Sequence, residues 1–330
     1  MNNNINVAFC CDENYVPYLV PSIISIINSK NKNTSIAIFI LETGINNYHK
    51  DNILKLQTDS VRINFINVAE QAKDLILSKV PHKTNFNSTI LYKLLIPQIF
   101  NDSAKILLLD ADIIVQKDLS ELYNKNIGNY YIAAAKRKLP YHLKYFISKG
   151  KKYSVREFYS KVLGLPDYFY DSDAKYYMNA GVILFNISKI LQDNKDKELI
   201  EVFFKHKDGL VYAEQDIFSK VFLDSIAPLL PNEHFVHVFY DKIRKEEYNK
   251  VLNEHKEAAI VHYIASKTYA KMLRSIYAKE YFDNLQKSYL QLSSLDIFLL
   301  KLKTIKKFIY KPKLWWAMPY VLGSIKINKK

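Results

Sequence analysis

Short runs of β-branched and other apolar residues alternate with amphipathic stretches through the first two hundred residues. Ile5–Cys11 reads as a buried strand, and a polar turn, Asp12-Glu13-Asn14, separates it from a helix expected to reach Ser29. Ile36–Leu41 and Val61–Val68 read as further strands, with a helix over Asn46–Thr58 that carries Ile53, Leu54 and Leu56. Ser88 is placed to cap a helix that carries Leu91, Leu94 and Leu95 toward Pro97. Lys105–Val115, KILLLDADIIV, is one apolar run interrupted by two aspartates. Tyr177–Ile187 and Ala258–Tyr263 are the later strands, and Tyr212–Leu223 a helix. Strands spaced by helices predict an α/β fold with a mostly parallel, Rossmann-like sheet and helices on both faces. In such sheets ligands gather at the carboxyl ends of the strands.

Two stretches break this rhythm. Residues 140–175 are rich in Tyr and Lys, lack a clear period and read as an insertion or lid. After Gln286 the composition shifts, which divides the chain into a main domain over 1–285 and a tail over 286–330. The tail holds ten lysines and one acid, Asp296, so most of the net charge of +14 lies there. Leu295, Phe298, Leu302, Ile305 and Ile309 recur at helical spacing on one face. Lys303 and Lys307 lie opposite, Lys301 and Lys306 flank the stripe, and Trp315, Trp316 and Tyr320 follow. A basic, apolar and aromatic helix suits an anionic membrane surface better than a nucleic acid, so no nucleic-acid partner is expected. The alternatives are a solvated lysine-rich helix, or tryptophans folded back onto the domain.

Composition narrows the chemistry. The seven glycines, at 44, 128, 150, 164, 181, 209 and 323, include no two that stand two apart, which excludes GxGxxG and GxxxxGK[ST] loops. Cys10 and Cys11 are adjacent and there is no CxxC pair, so neither a framework disulfide nor a thiolate zinc site is expected. No basic-then-apolar leader and no apolar run of about 18 residues is present, which points to a soluble protein of a reducing compartment.

Asp110-Ala111-Asp112 is the strongest local signal. Ile106–Leu109 delivers it to the end of a buried strand, where residues i and i+2 would project to one side. Two carboxylates that close call for a cation between them, and hard oxygen ligands suit Mn2+ or Mg2+ bridged to a diphosphate. The alternative is a polar strand end in solvent. Asp12, Asn14 and Tyr15 could read and stack on a base, or be ordinary turn residues. Asn179-Ala180-Gly181 ends in small residues that let a ligand approach the backbone, or mark a bulge. Glu214-Gln215-Asp216 opens a helix, as a donor-facing cluster or as plain capping. His262 follows an apolar strand, as a metal-binding or a structural imidazole.

In order and spacing, D-x-N-Y at 12–15, STILYKLLIP at 88–97, the DAD strand, MNAGVILFN at 178–186, EQD at 214–216 and VHY at 261–263 resemble family 8 glycosyltransferases. These are the bacterial lipopolysaccharide galactosyl- and glucosyltransferases related to glycogenin. The resemblance covers roughly residues 5–270. It implies a GT-A fold, a UDP-galactose or UDP-glucose donor, Mn2+ (or Mg2+) and retention of anomeric configuration. It further implies a saccharide acceptor of the lipopolysaccharide or lipooligosaccharide core; the composition of the tail adds that this acceptor is lipid-linked and met at the inner face of the cytoplasmic membrane. By position, Asp12, Asn14 and Tyr15 would hold uridine, and Asp110, Asp112 and His262 the metal. Lys93, Asp110, Ala111, Asn179, Ala180 and Lys267 would bind the donor, with Gln215, Glu214 and Asp216 as the catalytic group. Three positions depart from the family's pattern: Lys93 replaces Arg, Glu214 replaces Asp, and the loop after His262 lacks the usual glycine, proline and tryptophan. Gln215 is a poor nucleophile, which favours front-face attack over a covalent intermediate. A carbohydrate- or nucleotide-sugar-binding protein with weakened catalysis is the alternative from another class.

Overall fold

The computed structural model describes residues 4–74, 88–137, 146–148, 151–165, 177–207, 210, 212–236, 248–263 and 278–309. Strands β1 (Asn4–Cys10), β2 (Ser35–Glu42), β3 (Val61–Asn67), β4 (Lys105–Leu109), β6 (Ile132–Arg137) and β10 (Ile226–Leu229) run one way, and β9 (Tyr177–Asn186) runs against them. They form one sheet in the order β10-β6-β9-β4-β1-β2-β3. A second sheet, β11-β12-β5, joins β5 (Ile113–Val115), β11 (His234–Val236) and β12 (Ile260–His262), and β7 (Phe146–Ser148) pairs antiparallel with β8 (Lys151–Tyr153).

The main sheet is covered on both faces, so its central strands are apolar almost without interruption. Alternation splits β4 between two cores: Leu107 and Leu109 pack with Phe9, Val182 and the first helix, while Ile106 and Leu108 pack with Ala8, Ile183 and Phe185 on the other side. The first helix, Val16–Ser29, buries Leu19, Val20, Ile23 and Ile26 on its face of the sheet. Leu91, Leu94, Phe158, Tyr159, Ile217 and Phe218 cover the opposite face.

Several elements differ from the sequence reading. Ser88–Leu95 is a 3-10 helix, and an α-helix begins only at Ile96. Pro97 explains the change, because proline has no N–H to continue a ladder from behind but is suited to the first turn of a new helix. The second helix spans Asn47–Leu54, capped by the Asn46 side chain, and stops short of Thr58. The run Lys105–Val115 is two strands in two sheets, with Asp110–Asp112 in the turn between them.

Within 140–175, residues 146–148 and 151–165 are described, and Phe158, Tyr159 and Leu163 lie in the core. Past Gln286 the chain keeps touching the body: Tyr289, Leu290 and Leu292 pack on the core, and Ile297 is buried in it. Tyr289 Oη also lies 2.8 Å from His49 Nδ1. The helix Ser294–Ile309 then leaves Leu295 65%, Phe298 55%, Leu299 43% and Leu302 46% exposed. Trp315, Trp316, Tyr320 and Lys267 lie outside the described residues.

Candidate active site

The main sheet ends in a corner where β4 hands the chain to the small sheet. Asp110 N–H still donates to Gly181 O at 2.8 Å, the last bond toward β9. The backbone then turns, and Ile113 enters β5 opposite His262 of antiparallel β12. Tyr263 N–H donates to Asp112 O at 2.9 Å and closes the register. The two aspartates therefore do not meet as alternate residues of a strand, as the spacing suggested. A change of sheet turns them toward His262. Two serines on the first helix hold this turn. Ser22 Oγ lies 2.6 Å from both Ala111 O and Ile113 O, and Ser25 Oγ accepts the Val115 N–H at 2.9 Å. Two hydroxyls three residues apart in an otherwise apolar helix face are the sequence signal for this support.

Asp110, Asp112 and His262 each offer a ligand atom, all within 4.8 Å of one another. His262 Nε2 stands 3.2 Å from Asp112 Oδ1 and 3.5 Å from Asp110 Oδ2. Two carboxylates and one imidazole suit a divalent ion such as Mn2+ or Mg2+. The fit rests on more than ligand type. A Cβ on Gly181 would overlap Cε1, Nδ1 and Nε2 of His262, so the missing side chain is the seat of the imidazole. The small residue at Gly181 thus makes room for the His262 ring. Enclosure opposes ionisation of Asp112, but the facing His262 outweighs it and holds the carboxyl below its ordinary range.

Lys93 lies behind Asp110, buried on the 3-10 helix. Its ammonium reaches Asp110 Oδ1 at 2.6 Å, Glu214 Oε1 at 3.1 Å and Ala180 O at 3.1 Å. Burial works against the charge, yet the carboxylates of Asp110 and Glu214 raise its pKa above the usual lysine value. Burial likewise pushes Glu214 up, although Lys93 counteracts it. Three acceptors match the three protons of an ammonium, so Lys93 ties the metal-type corner to the Glu214–Val221 helix and to β9.

The structure sorts the Glu214-Gln215-Asp216 group. Gln215 Oε1 accepts the Ala180 N–H at 3.2 Å, which puts the amide beside Asn179 and Ala180. Asp216 is fully buried and accepts from Tyr177 Oη at 3.0 Å, Tyr159 Oη at 3.3 Å and Tyr212 N at 2.8 Å. Those bonds anchor the helix and bind it to the 151–165 segment. Asn179 Oδ1 accepts the Gly181 N–H at 3.0 Å and lies 3.1 Å from His262 Nδ1. His234 was not among the sequence candidates. Its imidazole stacks on that of His262, and nothing local in the sequence reveals a partner 28 residues away.

At the carboxyl end of β1, Asp12 Oδ1 accepts the Tyr15 N–H at 3.0 Å and caps the short helix Glu13–Tyr15. Asp12 Oδ2 faces Thr89 Oγ1 at 3.4 Å. Asn14 is exposed, and Tyr15 is 40% exposed with its ring centroid 5.5 Å from that of Tyr18. β1 and β4 are hydrogen-bonded neighbours, so this turn and the metal-type corner leave the same edge of the sheet side by side.

A model of the family described as Glycosyl transferase family 8 matches residues 6–270. A Haemophilus influenzae protein named "Putative glycosyltransferase" is 28% identical over 247 residues, which are 74% of this chain and 67% of that protein. Among solved structures, the bifunctional glycosyltransferase WbbM is similar over 89% of this chain, with a TM-score of 0.72 and 23% identity, and this chain spans 52% of its length. The galactosyltransferase LgtC, solved with donor and acceptor sugar analogs, is similar over 88% of this chain and 98% of its own, with a TM-score of 0.64 and 19% identity. At such identities the likeness is one of fold, and the fold is GT-A.

Proposed function

The chain is a member of glycosyl transferase family 8, and from that membership we propose that it is a retaining hexosyltransferase moving galactose or glucose from a UDP-sugar to a saccharide acceptor. The observation that carries the reading is the convergence of Asp110, Asp112 and His262 at the carboxyl end of β4, next to the Asp12–Tyr15 turn. In this reading Asp110, Asp112 and His262 would hold Mn2+, and the bound ion would supply positive charge against the negative charge of the leaving diphosphate.

The chain's own residues do the rest. Asp12 and Asn14 read the uracil edge and Tyr15 stacks on it. Asn179, Ala180 and Gln215 line the sugar, and Lys93 keeps Asp110 and Glu214 at a fixed spacing behind it. Glu214 stays beneath the sugar as the partner of Lys93, and Asp216 holds the helix that carries Gln215. Lys267, outside the described residues, is assigned to the diphosphate. The anomeric carbon loses its bond to the phosphate oxygen and gains one to the acceptor hydroxyl on the same face. The acceptor's proton passes to the departing phosphate, so no enzyme nucleophile is needed, in keeping with the amide of Gln215.

The acceptor proposed is the lipid-linked core saccharide of lipopolysaccharide or lipooligosaccharide. No helix among the described residues is long and apolar enough to cross a membrane. The exposed Leu295, Phe298, Leu299 and Leu302, with the basic residues that follow, support peripheral attachment of the 286–330 tail to an anionic cytoplasmic leaflet. The test is a screen of nucleotide-sugars for UDP release with Mn2+, with and without saccharide acceptor. UDP-galactose or UDP-glucose is expected to be turned over, and preference for a GDP- or CMP-sugar would overturn the donor assignment. Product anomers read by NMR check retention.

A further inference from the structure

An imidazole that gives one nitrogen to a cation keeps its proton on the other, and whatever accepts that proton fixes the ring. In His262 the nitrogen facing Asp112 and Asp110 is Nε2, at 3.2 and 3.5 Å. Nδ1 faces away, 3.1 Å from Asn179 Oδ1 and 3.3 Å from His234 Nε2. The orientation of the Asn179 amide is set by its other bond, since its oxygen takes the Gly181 N–H at 3.0 Å. Oxygen therefore also faces His262, and Nδ1 must be the donor. The same proton lies within reach of His234 Nε2, which can accept it when His234 carries its own proton on Nδ1.

The placement of His234 is architectural. β11 and β12 are parallel with His234 opposite Ile260 and Val236 opposite His262, so the two histidines are diagonal neighbours on one face. His234 is 2% exposed, and its ring is stacked on that of His262 with centroids 5.4 Å apart and planes inclined by 24°.

We propose that His234 is a positioning residue of the metal site: with Asn179 it accepts the Nδ1 proton of His262, and its ring backs the His262 ring, so that Nε2 is the nitrogen left for the cation and aimed at the gap between Asp110 and Asp112. This rests on the metal reading above. Outer partners of metal-bound histidines typically change metal affinity by roughly ten- to a hundredfold when removed.

The test compares His234→Phe, which keeps a stacking ring without the acceptor, with His234→Gln, which keeps an acceptor near the Nε2 position. Mn2+ is titrated into the full chain in saturating UDP, and thermal unfolding is measured without metal. The Phe variant is expected to lose about tenfold or more in Mn2+ affinity at a nearly unchanged melting temperature, and the Gln variant to retain most of the affinity. Wild-type affinity in the Phe variant, or equal losses in both, would overturn the proposal, the second by reducing the role to packing. If the Phe variant does not fold, imidazole 15N spectra of the metal-free wild type decide, with His234 assigned by its loss in His234→Gln. The proposal requires the Nδ1–H tautomer at His234, whose bare Nε2 accepts, and an Nε2–H tautomer sinks it. Should the wild type bind no Mn2+, the metal reading fails, while the tautomer still reports on His234.

Discussion

The corner at Asp110–Asp112 and the helix Ser294–Ile309 depart from ordinary packing in opposite senses. At the corner, polar groups are enclosed: Lys93, Glu214 and His262 are buried, and each is held by named partners. On the helix, large apolar side chains are left out, with Leu295 and Phe298 more than half exposed while Ile297 alone of that trio is buried. An enclosed charge survives only with a partner at hydrogen-bonding distance, so the corner must be specified by several elements at once. An exposed apolar stripe needs no partner to fold, so it is specified by one helix and is free to meet another surface. Loss of the buried cation Lys93 should therefore reach the fold, and loss of a metal-facing carboxylate the chemistry. Damage on the helix should leave both intact.

The sharpest test is Asp110→Ala or Asp112→Ala. Either is expected to lower UDP release on the order of a thousandfold, equivalent to about 4 kcal/mol of barrier, with near-UV circular dichroism unchanged. EDTA should do the same to the wild type, and added Mn2+ should reverse it. Near-normal turnover in either variant removes the metal from the account.

Lys93→Met keeps the volume but withdraws the cation from Asp110 and Glu214. Leaving such carboxylates enclosed and unpaired costs on the order of 3–5 kcal/mol, read as a fall in urea midpoint. A loss below 1 kcal/mol, by the same measure, would mean that the corner is less tightly coupled than its distances imply.

The helix Tyr248–Glu257 leads into β12, and burial depresses its His255 from 6.5 to about 4. The folded state therefore binds fewer protons than the unfolded state between these values, and stability is present above pH 6.5 and lost as pH falls toward 4. The swing is on the order of 3 kcal/mol. Unfolding midpoints of wild type and His255→Gln across that range should converge at low pH, and parallel curves would contradict the burial.

Gly181→Ala is smaller but more local. Its methyl would overlap the His262 ring, so roughly ten- to a hundredfold of Mn2+ affinity should go with about 1–3 kcal/mol of stability. A variant with wild-type affinity would show that the imidazole has another place to sit. The smallest expected effect on folding is Leu295→Ser with Phe298→Ser, within about 0.5 kcal/mol for each exposed site. Sedimentation with anionic liposomes should nevertheless fall, and unchanged liposome binding would count against the membrane role of the tail.

The strands and first helix were legible because burial on both faces of a parallel sheet writes itself as continuous apolar runs. The DAD motif was legible because acids seldom follow four buried aliphatics. Boundaries were less so. Pro97 turned one expected helix into a 3-10 stretch and a short α-helix, and Asp110–Asp112 ended a strand that hydropathy alone continued to Val115. Gly181 is legible as a small residue, but what it makes room for depends on β12, some eighty residues later.

By itself, then, the sequence determined the α/β alternation, the family, the chemical character of the acids and histidine, and the amphipathic stripe of the terminal helix, since each is carried by residues close together along the chain. Tertiary structure decided the rest. The antiparallel pairing of β5 with β12 set His262 against Asp112, and β11 laid His234 on His262. The two flanking helical segments closed Lys93 between Asp110 and Glu214. These contacts join residues from 17 to 150 positions apart, and no local pattern encodes which distant strand will supply the partner of a buried charge.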